Sequence, residues 1–234
     1  MTAAIIASFD SASRSYDDAA DIQSVVAEQL LADVAHLSPR SILDLGCGTG
    51  LLTSLAHRRW PAAAITAVDA SPAMLQAARA KVPSAYFVEA DAAKLELREH
   101  FDLVLSSMVL HWLPEPQQVL KRWRKLVATD GHMSVALPVA ESLAEWKGLC
   151  EQHCVADRLW RFPVRGLFDA PGPTRRHALT YASARDFLYS MKRTGAAISD
   201  PHSLAMSPAS LRLLLRNAPK PFQATFAIAY LRKL

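Results

Sequence analysis

Ser41-Ile42-Leu43-Asp44-Leu45-Gly46-Cys47-Gly48-Thr49-Gly50 passes from five residues of largely apolar strand character into three glycines spaced two apart. Residues 51–59 then read as a helix. Glycine is needed where a backbone turns sharply and approaches a ligand with no side chain in the way. The helix behind such a turn offers unpaired amide donors and the positive end of its dipole. A strand, a glycine turn and a helix in that order predict one βα unit of a nucleotide-binding sheet. Taken alone such a loop is weak evidence, and its force comes from the flanking sequence.

Downstream the rhythm repeats. Residues 64–68 read as a second strand and 72–81 as a helix, with Ser71 as its cap and Pro72 at the first helical position. Residues 86–89 form a third strand, and 101–106 a fourth that is apolar on both faces, as a central parallel strand should be. A helix over 115–127 and a fifth strand over 133–137, following an Asp130-Gly131 turn, complete the alternation. Such alternation implies a parallel sheet with right-handed crossovers. Upstream, residues 8–18 suggest an irregular or short helical arm, and 21–37 a helix with Asp21 as N-cap, ended by Pro39. Beyond Pro138 the pattern changes: a helix over 142–159, a proline- and glycine-bearing loop over 162–174, a strand over 177–181, helices over 183–194 and 208–216, and a strand over 223–231.

The bulk properties agree with one α/β domain over residues 1–234. It divides into an arm and helix (1–38), a ligand-binding core (39–140), an insertion read as a lid or wall with the remaining sheet elements (141–222), and the last strand (223–234). Hydrophobic residues make up 51% and charged residues 21%, an ordinary globular balance. Three cysteines, Cys47, Cys150 and Cys154, are too few and odd in number for a disulfide framework, which predicts a reducing, cytoplasmic setting. Neither a secretory leader nor an apolar run of the ~18 residues a membrane span needs is evident. The net charge of +4 lacks the dense basic stripe with aromatic platforms expected of a nucleic-acid binder. Cys150-x-x-His153-Cys154 spans about one helical turn and lacks a fourth ligand, so it is read as structural, and no metal is expected. Cys47 is read as a small buried residue.

Two further acids sit at strand ends. Asp69 follows Gly50 by 19 residues, where nucleotide-binding sheets place an acid for ribose hydroxyls. Asp91 ends the third strand, where it is expected to meet an adenine amino group. The loop is Gly-x-Gly-x-Gly, not the Gly-x-Gly-x-x-Gly of dinucleotide dehydrogenases. Asp44 precedes it, and that acid suits a cationic ligand but would repel a pyrophosphate.

The order Asp44, Gly46, Gly48, Gly50, Asp69, Asp91 resembles the class I S-adenosylmethionine-dependent methyltransferases, over residues 40–140. The resemblance implies a Rossmann-like, doubly wound, mostly parallel seven-stranded sheet with an antiparallel C-terminal strand, and S-adenosylmethionine as cofactor. It implies that Gly46 and Gly48 border the methionine part, with Asp44 and Cys47 also at the cofactor, Asp69 holds the ribose, Ala70 and Met74 flank the adenine, and Asp91 with Ala92 meets its edge. Ser106 and Ser107 would face the methionine end, and Tyr16 would close over the cofactor.

The flanks are similar to malonyl-acyl carrier protein O-methyltransferases of biotin synthesis. The likeness lies in the arm from Phe9 to Asp17, in Ser106-Ser107-Met108-Val109-Leu110-His111-Trp112, in the segment Phe187 to Ala196, and in the strand Phe226 to Leu231. It implies transfer of methyl to the free carboxylate of a malonyl thioester, with acyl carrier protein as partner. A carboxylate is ionised at neutral pH and needs no general base. Tyr16, His111, Trp112, Lys192 and Arg193 are the candidate substrate-binding residues. Basic residues Arg122, Arg124, Lys125, Arg175, Arg176, Lys192 and Arg193 would give the acidic carrier protein a docking face. Other acceptors stay open: a small acid such as trans-aconitate, or a natural-product hydroxyl or amine, for which His111 would be the base. A cofactor-binding module without turnover is the alternative of a different class.

Overall fold

A computed structural model describes residues 1–170, 172–198 and 206–233. The chain opens with α1 (Ala3–Ala12), α2 (Asp21–Ala32), β1 (Ser41–Leu45) and α3 (Leu51–Arg59). It continues through β2 (Ala64–Asp69), α4 (Pro72–Lys81), β3 (Tyr86–Glu89), β4 (Phe101–Ser107), α5 (Pro116–Arg124) and β5 (Val127–Pro138). Then come α6 (Ala144–Gln152), β6 (Thr174–Tyr181), α7 (Ala184–Arg193), α8 (Pro208–Asn217) and β7 (Phe222–Lys233).

The seven strands form one sheet in the order β3-β2-β1-β4-β5-β7-β6. β1 to β5 pair in parallel, while β7 runs antiparallel to both β5 and β6. The strand order reverses between β1 and β4, so their carboxyl ends diverge and leave a crevice, the usual ligand position in open α/β sheets. Helices cover both faces. Trp60, Trp146, Phe187 and Phe222 are buried with Val26 and Leu30 of α2 on one face; Trp123 and Val119 of α5 are buried with Leu43, Leu45 and Val104 on the other. Ring centroids of Trp146, Phe187 and Phe222 lie 5.4–6.4 Å apart, an aromatic wedge between the sheet and the later helices.

Several sequence expectations shift. The arm is a helix from Ala3, capped by Thr2 Oγ1 accepting from Ile5 N, and it buries Ile5 and Ala12. Helix α2 starts where expected, but Ala20 holds the cap position and Asp21 stands in the first turn without capping. It ends at Ala32, short of residue 37. Ser71 does cap α4, accepting from Met74 N at 3.1 Å. Asp130-Gly131 does not precede β5; it lies inside it. β5 begins at Val127, and its register against β4 slips between Phe101 and Leu103. Such a bulge carries extra residues without ending the pairing. A side chain at Gly131 would stand 2.8 Å from the Phe101 carbonyl oxygen, so only glycine fits the strand there. Helix α6 stops at Gln152, seven residues before the predicted end, and Cys154 and Arg158 beyond it have φ of +52° and +57°, which no helix continues through.

Candidate active site

Two adjoining cavities open at the crevice between β1 and β4. The smaller, about 70 Å³, is walled by the glycine loop, by Asp44, Asp69 and Met74, and by Ile6 and Phe9 of α1. The larger, about 360 Å³, lies beneath α7, α8 and the 157–162 loop. Phe9, Tyr16, Gln23, Met108 and Trp112 belong to both walls.

The loop takes its shape from close approach. Gly46 has φ +76°, and a side chain there would collide with Val109 in the segment after β4. Gly46 and Cys47 donate their amides to Val68 O at 2.7 and 3.0 Å, which ties the loop to β2. At Gly48, by contrast, nothing stands within 4 Å of where a Cβ would be, and that side is open to a ligand. Gly50 caps α3 in the left-handed region with no side-chain hydrogen bond, so the first amides of α3 are free of side-chain capping.

Asp44 is 1% exposed. Thr53 Oγ1 donates to its Oδ2 at 2.6 Å, while Oδ1 is buried with no partner among the described residues. Burial, with Asp69 nearby, pushes its carboxyl up to about 7. Asp69 accepts from Gly48 N at 2.8 Å and from Ser71 N at 2.9 Å; burial raises its carboxyl as well, against those amides. Two acids, one with an orphaned oxygen, leave a pocket short of positive charge. A cationic group such as a sulfonium or ammonium fits that donor set, and a phosphate does not. Ser107 Oγ, also buried and unpartnered, lines the same cavity.

Of the other predicted residues, some line this cavity and some lie outside its wall. Ser106 points away and donates to Leu45 O at 2.8 Å, since successive strand residues face opposite sides. Ala70, Asp91 and Ala92 are outside the wall of the smaller cavity. Asp91 accepts from Ala93 N at 3.0 Å and from the Met1 amino nitrogen, and the Ala92 carbonyl accepts from Trp123 Nε1. Tyr16 stands between the cavities, its phenol pushed up by burial and by Asp69 and Asp17. Cys47 is buried and its thiol is held protonated by burial and the neighbouring acids. Cys150 is likewise buried and Cys154 exposed; among the described residues no group of three metal-ligating side chains converges.

His111 and Trp112 line the larger cavity in an aromatic cluster. Trp112 lies 5.7 Å from Phe9 and 5.0 Å from Trp160, and His111 lies 5.5 Å from Phe162, ring centroid to centroid. Burial drives the His111 imidazole down to about 3, so it is neutral, and its Nδ1 has no partner among the described residues. Lys192 and Arg193 are not in either wall: Lys192 is exposed, and Arg193 pairs with Asp18 at 2.9 Å. Met191, one step back on α7, faces the cavity instead. Sequence reasoning missed Gln23, whose Oε1 is buried and unpartnered, and Arg158. A glutamine in the first turn of an amphipathic helix carries no signal of its own.

Four of the seven basic residues expected to form a docking face make contacts within the chain. Arg122 and Arg124 donate to the carbonyls of Ala93 and Asp169, Arg175 forms a bidentate pair with Asp33, and Arg193 is paired as above. Lys125, Arg176 and Lys192 are exposed without an ion pair among the described residues.

The sheet order, the glycine loop at its switch point and the acids behind it define an S-adenosylmethionine-dependent methyltransferase fold, and the comparisons with other proteins agree. A methyltransferase-domain family profile matches residues 43–135. The chain belongs to the class I S-adenosylmethionine-dependent methyltransferases. It is similar to the malonyl-[acyl-carrier protein] O-methyltransferase of Halorhodospira halophila, at 30% identity over 95% of this chain and 84% of that protein. It is also similar to the trans-aconitate 2-methyltransferase of Escherichia coli O1:K1 / APEC, at 41% identity, over 48% of this chain and 44% of that one. The YcgJ protein of Bacillus subtilis shares the fold with a TM-score of 0.61 at 14% identity, covering 88% of this chain and 96% of that one. The plantazolicin methyltransferase BpumL shares it at 0.56 and 12% identity, covering 98% and 97%. No helix among the described residues is long and apolar enough to cross a membrane.

Proposed function

We propose that the protein methylates the free carboxylate of a malonyl thioester carried on acyl carrier protein, in the cytoplasm and in service of biotin synthesis. The observation that carries the reading is His111. A hydroxyl acceptor needs a group to take its proton, and an imidazole driven to about 3 is a poor base at neutral pH. A carboxylate arrives ionised and needs none. The larger cavity is mainly apolar, with one cationic side chain among its described lining residues. One carboxylate at the end of a thioester suits that wall better than the three of trans-aconitate. The near full-length similarity to the Halorhodospira protein supports the same acceptor, whereas the trans-aconitate enzymes match about half the chain.

S-adenosylmethionine, when bound, supplies a methyl group on a cationic sulfur. We assign Asp44, Gly46, Cys47, Gly48 and Ser107 to its methionine part, Asp69 to the ribose, Ala70 and Met74 to the faces of the adenine, and Asp91 with Ala92 to its edge. Tyr16, Phe9 and Trp112 exclude water at the junction of the cavities, where low dielectric strengthens each polar contact. The protein's work is alignment and desolvation, not proton transfer.

Incubation with methyl-labelled S-adenosylmethionine and malonyl-carrier protein, malonyl-coenzyme A or trans-aconitate tests the reading. Label is expected in a base-labile ester of the malonyl thioesters. Label entering trans-aconitate alone would overturn it, and tight cofactor binding with no transfer to any acceptor would favour a binding module. Reversing Lys125, Arg176 and Lys192 together should raise the KM for malonyl-carrier protein without changing that for malonyl-coenzyme A; an equal effect on both would remove the docking role.

A further inference from the structure

We infer that Arg158, in the loop after α6, anchors the acceptor's carboxylate in the larger cavity; this rests on the carboxylate acceptor proposed above. Arg158 is the only cation among the described residues lining that cavity. It is half-buried, and its Nε is fully buried with no hydrogen-bond partner among the described residues. A buried guanidinium N–H without an acceptor is costly in a folded protein, because Arg carries donors only and cannot shed its charge. The natural completion is an anionic acceptor brought in from outside. Among the described residues, neighbouring groups do not supply one. Asp157, the other charged residue of the wall, accepts from Leu159 N at 2.9 Å and forms no ion pair with Arg158.

The backbone points the same way. Arg158 has φ +57°, in the left-handed region that β-carbon-bearing residues rarely adopt, and Cys154 four residues earlier has φ +52°. Strained positions of this kind persist where surrounding contacts fix them and concentrate at ligand sites. The loop is pinned on either side. Trp146 Nε1 donates to Asp157 O at 3.4 Å, and Trp160 Nε1 donates to His111 O at 2.9 Å. Arg158 is therefore presented from a fixed stretch between two tryptophan anchors. The planar guanidinium matches a carboxylate with two parallel hydrogen bonds, a geometry lysine cannot reproduce. The remaining wall, rich in Trp, Phe, Leu and Met, suits the uncharged thioester side of the same molecule.

The test is steady-state kinetics of R158M and R158K with malonyl-coenzyme A, alongside calorimetric titration with S-adenosylhomocysteine. R158M is expected to raise the acceptor KM at least about tenfold while cofactor-product affinity stays within twofold. R158K should fall between, since it restores charge but not the fork. A KM in R158M within twofold of wild type would overturn the assignment. Should R158M lose cofactor-product binding through misfolding, wild type decides the matter: as a competitor of malonyl-carrier protein methylation, malonyl-coenzyme A should be at least about tenfold more effective than its carboxamide analogue, with the preference reduced in R158K. Equal inhibition would overturn it. If wild type forms no ester from any malonyl thioester, the proposed acceptor fails separately. The Arg158 assignment is then judged on the acceptor that does take label, and falls if that acceptor is uncharged or its KM ignores R158M.

Discussion

Replacing Asp44 with Asn removes the charge whose Oδ1 is left without a partner at the head of the glycine loop, while an Asn oxygen can still accept from Thr53. In the ligand-free protein burial holds this carboxyl at about 7, against 3.8 ordinarily. A cationic ligand binds the ionised form, so wild-type apparent affinity should scale with the ionised fraction. Between pH 7 and pH 5 that fraction falls from about one half to about one hundredth, a loss of roughly 50-fold in affinity. The window lies below the ionisation of an α-amino group at about 7.7–8.0, so the ligand's own titration does not contribute. D44N should show no such slope. At pH 7 it should bind S-adenosylmethionine about 30-fold more weakly, the value of a charged hydrogen bond near 2 kcal/mol. Folding stability runs the other way. A carboxyl raised on folding favours the folded state while protonated, so ligand-free stability should decline as pH climbs from about 4 to about 7, by up to roughly 4 kcal/mol. D44N should then melt higher than wild type at pH 8 without cofactor. Isothermal titration across pH and thermal unfolding make both measurements. A pH-independent wild-type Kd, or a D44N Kd within threefold of wild type, would refute the reasoning.

Three further outcomes are expected. G46A should cost more than about 2 kcal/mol in urea unfolding, from a left-handed backbone and collision with Val109, and V109A should recover part of it; no recovery in the double mutant would contradict the contact. The ratio of wild-type to H111Q kcat should stay constant from pH 5.5 to 8, because an imidazole at about 3 does not titrate there, and a ratio changing severalfold would restore His111 as a base. F187A should lower stability by about 3–5 kcal/mol, as Phe187 is fully buried between Trp146 and Phe222; a loss below about 1 kcal/mol would mean the wedge closes over the gap.

What the sequence disclosed followed from how local the chemistry was. The cap Ser71, the proline after it and the loop from Asp44 to Gly50 are written in consecutive residues, and the structure places them as read. Asp130-Gly131 misled because a turn pair and a bulge look alike until Phe101 O is seen beside Gly131. The start of α1 was hidden in Ala3-Ala4-Ile5-Ile6, which fixes neither period nor cap without the surface it packs on. Single-residue errors mattered most at the site. Ser106 and Ser107 differ by one step along β4 and face opposite sides. Met191 faces the cavity while Lys192, about 100° further round α7, does not. Arg158 was beyond reach: its meaning depends on a cavity assembled from distant segments.

The N-terminal arm is fastened at both ends of this crevice. Asp10 accepts from Ser71 and Asp17 from Thr49, on the side of the glycine loop; Ser8 and Ser15 donate to the carbonyls of Gly195 and Arg193, on the other. Phe9 and Tyr16 are thus shared property, and the bay beneath them, about 70 Å³, is far below the ~300 Å³ at which ligand pockets begin. A segment that walls both cavities couples the entry of one ligand to the wall that the other meets. Turnover should therefore follow a compulsory order, S-adenosylmethionine on first and S-adenosylhomocysteine off last. A dead-end acceptor analogue would then inhibit uncompetitively against the cofactor, and a competitive or mixed pattern would show that the two ligands come and go independently.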